Sequence, residues 1–171
     1  MIASGPPTIS DGIVTLREVR REDAPDLYRW RMDPQSRAMF HSTDLVPYGT
    51  HLRFFERYFE PGSTDAWFII EAGEEAVGTI VLYDLSTDGT EAEWGRFVIA
   101  PERRGRGYGR RALSLLLAYA RGRGIRRLRC SVLASNAWAR KLYRDLGFLE
   151  TGSVAHGGRA FVNMLLTSDG R

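Results

Sequence analysis

Residues 102–120 read "ERRGRGYGRRALSLLLAYA", a run of arginines and glycines that turns abruptly into a leucine-rich segment. Gly105, Gly107 and Gly109 strip Cβ atoms from alternate positions of one short loop. That permits unusual φ values and close approach of the backbone to a ligand. Leu113, Leu116, Leu117 and Ala120 then recur at helical spacing and predict the longest helix of the chain. On the near side lies "TEAEWGRFVIA" (90–100), on the far side "RRLRCSVLA" (126–134), and both read as strands. The stretch 92–132 is therefore one strand–helix–strand crossover, whose two strands must run parallel if they share a sheet. The glycine loop sits where the first of them passes into its helix. Free N–H groups and the positive end of the helix dipole favour an anion there.

Working outward, "GIVTLREV" (12–19) alternates like a first strand, and Asp23 is the expected N-cap of a helix that the Asp33-Pro34 pair breaks. A short second helix and an amphipathic one over 47–62 follow. "DAWFIIEAGEEAVGTIVLYDL" (65–85) is two strands about the hairpin signal "AGEE". After the crossover, "SNAWARKLYRDLG" (135–147) is a helix closed by Gly147, and 148–167 form a hairpin across His156–Gly158. The fold class this predicts is α/β with a mixed, α+β-like sheet. Residues 11–171 make a single domain, and 1–10, "MIASGPPTIS", read as a flexible tail.

At 171 residues the chain is long enough to enclose one core. Its formal charge is only +3, with 24 basic and 21 acidic residues interspersed. A nucleic-acid binder shows a larger and more clustered excess. Lys141 is the only lysine, so the basic side chains are nearly all arginines, which make planar forked contacts to phosphate and carboxylate. Cys130 stands alone, so no disulfide can form within the chain, and a lone strand cysteine is ordinarily a small core residue. His41, His51 and His156 lack metal-ligand spacing, and no metal is expected. No apolar run approaches the ~20 residues of a membrane span. The first ten residues lack a signal peptide's basic and apolar regions. The expected location is cytoplasmic, with neither membrane nor nucleic acid as a partner.

The loop is not one of the familiar phosphate binders. Its G-x-G-x-G spacing departs from the dinucleotide fingerprint, Ala100-Pro101-Glu102 separate it from the strand, and it ends Gly109-Arg110-Arg111 where a P-loop needs Gly-Lys-Ser/Thr. Alone it could be a surface turn. A second constellation lies in "SNAWARKLYRDLGF": Asn136, Ala139, Leu142 and Tyr143 fall at helical spacing, with Asn136 at the helix start. Each has an ordinary use, Asn136 as a cap and Tyr143 as a core aromatic beside Ala139 and Leu146.

Together the two segments resemble the GNAT acetyltransferase superfamily. Arg104-x-x-Gly107-x-Gly109 is similar to that family's pyrophosphate loop, and Asn136-x-x-Ala139-x-x-Leu142-Tyr143 with Gly147-Phe148 is similar to its second coenzyme A motif. The order of elements agrees over residues 12–167. The resemblance implies a mostly antiparallel sheet with helices on both faces. In it the fourth and fifth of the strands above splay as a parallel pair, with pantetheine in the opening. Carried over residue by residue, the backbone of Phe97, Val98 and Ile99 would hold pantetheine. The amides of Arg104, Gly105, Arg106, Gly107, Tyr108, Gly109 and Arg110 would hold the pyrophosphate, and Asn136 would touch the pantetheine arm. The co-substrate is acetyl-CoA.

The implied reaction is direct transfer of acetyl to an amine, with a backbone N–H near Val98 or Ile99 stabilising the oxyanion. Tyr143 resembles the general acid that protonates the leaving sulfur. Glu93 is the expected base, placed on the strand face of Phe97, with Glu91 as the alternative. The acceptor is a small-molecule or peptide amine. "LYRWRMDPQSRAMF" loosely resembles the branch that acetylates nucleotide-linked amino sugars, and N-terminal alanine and aminoglycoside acetyltransferases share its layout. Trp30, Arg31, Met32, Phe40 and His41 are the expected acceptor-side wall. A coenzyme A-binding regulatory module without catalysis is the non-enzyme alternative. Monomer and homodimer stay open.

Overall fold

The computed structural model describes residues 5–168. Its frame is one eight-stranded sheet in the order β1-β2-β3-β4-β5-β6-β8-β7. The strands are β1 (Ile9–Ser10), β2 (Val14–Glu18), β3 (Ala66–Ala72), β4 (Glu75–Tyr83), β5 (Glu91–Ile99), β6 (Arg127–Leu133), β7 (Leu149–His156) and β8 (Arg159–Thr167). Every neighbouring pair is antiparallel except β5 and β6, which run parallel across α4 (Tyr108–Gly122).

Strand periodicity sorts the core into two layers. In β3, Phe68 and Ile70 pack with Leu113 and Leu116 of α4 and Leu142 of α5 (Ala137–Asp145). Trp67 and Ile69 face the other way. They meet Leu27 and Trp30 of α1 (Ala24–Met32) and Phe55 of α3 (Tyr48–Glu56). A strand buried on both faces reads as a continuous apolar run, as "AWFII" does.

Two local expectations change. Ile9 and Ser10, expected in the tail, pair with Leu16 and Thr15. The turn between them is tied by the Asp11 carboxylate, which accepts from the N–H groups of Ile13 and Val14 and lies 3.0 Å from Arg111. Those bonds hold its carboxyl at about 2. Residues 1–4 of the expected tail lie outside the described residues. Asp23 precedes α1 but does not cap it with its side chain. Its carboxylate accepts 2.8 Å bonds from both terminal nitrogens of Arg17 and one from the Arg20 N–H, because a forked guanidinium outcompetes a single helix amide. After Asp33, α2 is one turn long (Pro34–Arg37).

The feature that positions the site is the parting of β5 from β6. Their pairing covers Glu91–Glu93 against Arg127–Arg129 and stops. Beyond it β6 stays bonded to β8 as far as Leu133 opposite Phe161. Meanwhile β5 follows β4 through a bulge: Thr79 lies opposite Val98 but Val81 opposite Gly95, one residue extra on β5. Arg96 sits in the bulge with φ +47°, a left-handed conformation that a non-glycine adopts only when its surroundings enforce it. The extra residue reverses the alternation. Phe97, expected on the face of Glu93, packs instead beside Trp94 against the α4 layer, and Val98 joins the α1 layer with Glu93.

Candidate active site

The parted strands leave an opening in the sheet with different chemistry on its two faces. On the α1 face is a cavity of about 540 Å³ whose wall includes Arg31, His41, Glu93, Arg96 and Ser131 among aromatic rings. Glu93, the last β5 residue paired with β6, stands where the strands part. Tyr83 donates to it across 3.3 Å. Gly95 leaves room for the Tyr83 hydroxyl, since a Cβ there would lie 2.9 Å from it and one of the two would have to shift. Burial raises the Tyr83 phenol above its usual range, with the Glu93 charge adding to it, so Tyr83 keeps its proton and remains a donor. Glu91, the alternative base, bonds Arg127 at 3.1 Å and does not line this cavity.

On the α4 face lies Tyr143, fixed edge-on against Trp94 (centroids 4.9 Å) and tilted on Phe148. Burial, then the Cys130 thiol, push its phenol above the ordinary range. It therefore stays protonated through neutral pH. Cys130 shares this layer, and burial raises its thiol to about 12, so it is no thiolate nucleophile. Glu93 and Tyr143 thus lie on opposite faces of the sheet, Tyr143 packed on Trp94, which also lines the cavity.

At its far end the β5 arm leads into the glycine loop. Gly107 caps α4 with φ +79°, and Gly105 has φ +75°. Nothing stands within 4 Å of the place where a Cβ would sit on either. A helix N-terminus that opens onto clear space through glycines fits a pyrophosphate. Gly109 is packed instead, with Phe97, Ile99 and Trp138 around it. The arginines around the loop do different work. Arg104 turns away to α2, where it donates to Gln35 and to Ser36, both at 2.8 Å, and its Nε holds the Ile99 carbonyl. Arg110 reaches within 3.8 Å of Asp145. Arg106 is exposed and Tyr108 half-buried against the α4 layer. Asn136 caps α5, accepting from the Ala139 N–H at 3.2 Å, so its amide NH2 is the group left for a ligand.

Of the expected acceptor wall, Arg31, Phe40 and His41 line the cavity. Trp30 and Met32 are not brought to it. Trp30 is only 1% exposed inside the α1 layer, and the Met32 sulfur accepts from the Val46 N–H.

A protein-family model described as acetyltransferase (GNAT) family matches residues 22–148, which contain the loop, the parted strands and α5. The chain belongs to this family. In sequence, the uncharacterized N-acetyltransferase YycN of Bacillus subtilis (strain 168) is 51% identical over 51 residues, 30% of this chain and 33% of the relative, so the match spans a third of that protein. In structure, spermidine N-acetyltransferase from Vibrio cholerae, solved with CoA and spermine, superposes with a TM-score of 0.82 at 18% identity, covering 92% of this chain and 96% of its own. Mutant forms of the spermidine/spermine N-acetyltransferase from that organism give 0.77 at 19%, covering 92% and 95%. These likenesses show the fold. Among the described residues no helix is long and apolar enough to cross a membrane, and no group of three or more metal-ligating side chains gathers.

Two residues of the cavity, Arg96 and Ser131, and one that braces its wall, Arg159, have no sequence signal that marks them. Arg96 is brought in by the bulge. It lies over the rings of Phe54 and Tyr83 at 4.8 and 4.7 Å, with Asp65 3.8 Å away. Ser131 is one polar residue in an alternating strand. Arg159, 118 residues from His41 in sequence, pins the loop before α3 by donating to the carbonyls of Ala38, Phe40 and His41.

Proposed function

We propose that this protein transfers acetyl from acetyl-CoA directly to a primary amine, with Glu93 serving the amine and Tyr143 the departing sulfur. The observation that supports this reading is the parting of β5 from β6 just after Glu93, with Tyr143 in the opposite layer against the neighbouring Trp94. Bound acetyl-CoA would supply an acetyl group activated as a thioester. Backbone of Phe97, Val98 and Ile99 would hold its pantetheine, amides of residues 104–110 its pyrophosphate, and the Asn136 amide its arm. Glu93 receives the ammonium group and takes a proton, directly or through water. A backbone N–H of the β5 arm, near Val98 or Ile99, stabilises charge on the carbonyl oxygen. Tyr143 hands its proton to the leaving sulfur. Cys130 takes no part.

The acceptor this cavity suits is an anionic amine, a nucleotide-linked amino sugar in our reading. Arg31 and Arg96 outnumber the single carboxylate of Glu93 on its wall. Burial holds His41 and His51 below their ordinary pKa, so neither adds positive charge at neutral pH, and aromatic rings offer stacking faces. A polyamine carries several positive charges and would need more carboxylates. The test is thiol release from acetyl-CoA, with mass detection of product, over nucleotide-linked amino sugars, alanine-ended peptides, an aminoglycoside and spermidine. Amino sugars should give the highest kcat/KM. Efficient turnover of spermidine or the peptide with none of the sugars overturns the acceptor and leaves the reaction standing.

The coenzyme side has its own check. Gly107→Val adds side chain where the folded protein is empty but puts a β-branched residue at φ +79°, so backbone strain at the cap of α4 and obstruction of the pyrophosphate both weigh against binding. Acetyl-CoA affinity should drop ~10-fold or more, about 1.4 kcal/mol. Unchanged affinity by calorimetry in a variant with intact circular dichroism would remove the loop from the site.

A further inference from the structure

We infer that His41 is a second proton acceptor for the amine, standing across the opening from Glu93 and tethered there by Ser131. The inference rests on the acetyl-transfer reading above. His41 belongs to an exposed loop and to neither core layer, yet it is held at three points. Arg159 donates to its carbonyl at 3.1 Å, its ring stands edge-on to Phe161 at 4.2 Å, and its Nε2 lies 3.2 Å from the Ser131 Oγ. Ser131 lies on β6, two residues past the Arg129 that pairs with Glu93, and so on the same face. One parted strand therefore carries the carboxylate and the other the imidazole, and both line one cavity.

The charged and titratable groups facing the ring are Glu93 from β5, His156 from the end of β7 (rings 5.2 Å apart) and Arg159 from β8. Burial is the largest influence and lowers the pKa. His156 and Arg159 act the same way, and Glu93 opposes them. The ring is neutral at pH 7, a form able to take a proton, and imidazole basicity lies nearest the working pH of all side chains. In the step proposed, the Ser131 hydroxyl gives its proton to Nε2 of a ring protonated at Nδ1 and takes one from the ammonium group. The serine is unchanged, the amine nitrogen regains its lone pair for attack, and one proton resides on His41. The carboxylate of Glu93 balances the new imidazolium charge, and the exposed ring returns its proton to solvent.

The experiment is the pH profile of kcat/KM for wild type, His41→Gln and Ser131→Ala, using whichever amine of the panel above releases thiol fastest. The wild type should lose activity below a midpoint under 6.5, as the imidazole protonates. His41→Gln should abolish that acid limb and lower kcat/KM at pH 7 by about 10-fold, Glu93 carrying the remainder. Ser131→Ala should keep the limb and lose rate. A wild type without the limb, or a His41→Gln protein that retains it while binding acetyl-CoA normally, overturns the proposal. If His41→Gln no longer binds acetyl-CoA, Ser131→Ala decides, and a wild-type rate there overturns it too. Absence of thiol release with every amine is a different result, and counts against acetyl transfer itself.

Discussion

Replacing Tyr143 by Phe is expected to lower kcat by roughly 10²-fold or more, the usual size of a general-acid contribution. The substitution removes one oxygen and leaves the packing, because the contacts that fix the ring are aromatic: Trp94 edge-on at 4.9 Å and Phe148 at 6.2 Å. Acetyl-CoA affinity and thermal stability should barely move. The defect should also be nearly flat from about pH 6 to about pH 9, since a phenol raised above its ordinary value of about 10 stays protonated throughout. Single-turnover measurements give the cleanest comparison, because product release cannot mask the chemical step there. A variant that turns over at the wild-type rate would return Tyr143 to a purely structural role beside Leu142 and Ala139.

That test bears on the arrangement as well as the residue. A thioester held in the gap between β5 and β6 can be attacked from one face while its sulfur leaves toward the other. The proton removed from the amine and the proton given to the sulfur then belong to different side chains in different layers. Glu93 faces α1 and Tyr143 comes from α5. On the proposed reading neither group has to change roles within a turnover, and the sheet itself separates them.

How much of this could be read from sequence depends on the range of the signal. The parallel pair follows from local patterns, two strands joined by a helix of regular apolar spacing, and it is present. The glycine loop and Asn136 carry short motifs in the elements expected for them. The bulge left no trace, because Arg96 is no glycine and its φ of +47° is imposed by rings from β3, β4 and α3. Without the bulge, counting by twos along β5 puts Phe97 with Glu93, and the structure separates them. Arg104 and Asp23 were legible as residue types but not by partner. Each is held by side chains that only the tertiary fold supplies, Arg104 by Gln35 and Ser36, Asp23 by Arg17. Trp30 and Phe40 look alike on a helical pattern. Packing buries the first under the sheet and leaves the second at the cavity.

Arg31→Ala is expected to cut kcat/KM for an anionic amine by ~1.5–3 kcal/mol, or about 10- to 150-fold, the range for a hydrogen bond to a charged group. The guanidinium is held at a cost. It lies 4.3 Å over the Phe40 ring, and one terminal nitrogen donates to the Ser42 carbonyl at 3.3 Å. The other terminal nitrogen is buried with no partner among the described residues, and no carboxylate there lies within ion-pair distance. Burial, reinforced by Arg37, lowers its pKa, which means the surroundings disfavour its charge. An incoming phosphate or carboxylate reverses both conditions, since it supplies an acceptor and opposite charge where water is excluded. A neutral amine of similar size supplies neither. The loss on Arg31→Ala should therefore appear with the anionic acceptor and be absent with a neutral one, with acetyl-CoA affinity unchanged for both. Equal losses for the two amines would assign Arg31 to holding the loop through Ser42 and Phe40, and the preference for an anion would have to come from Arg96 alone.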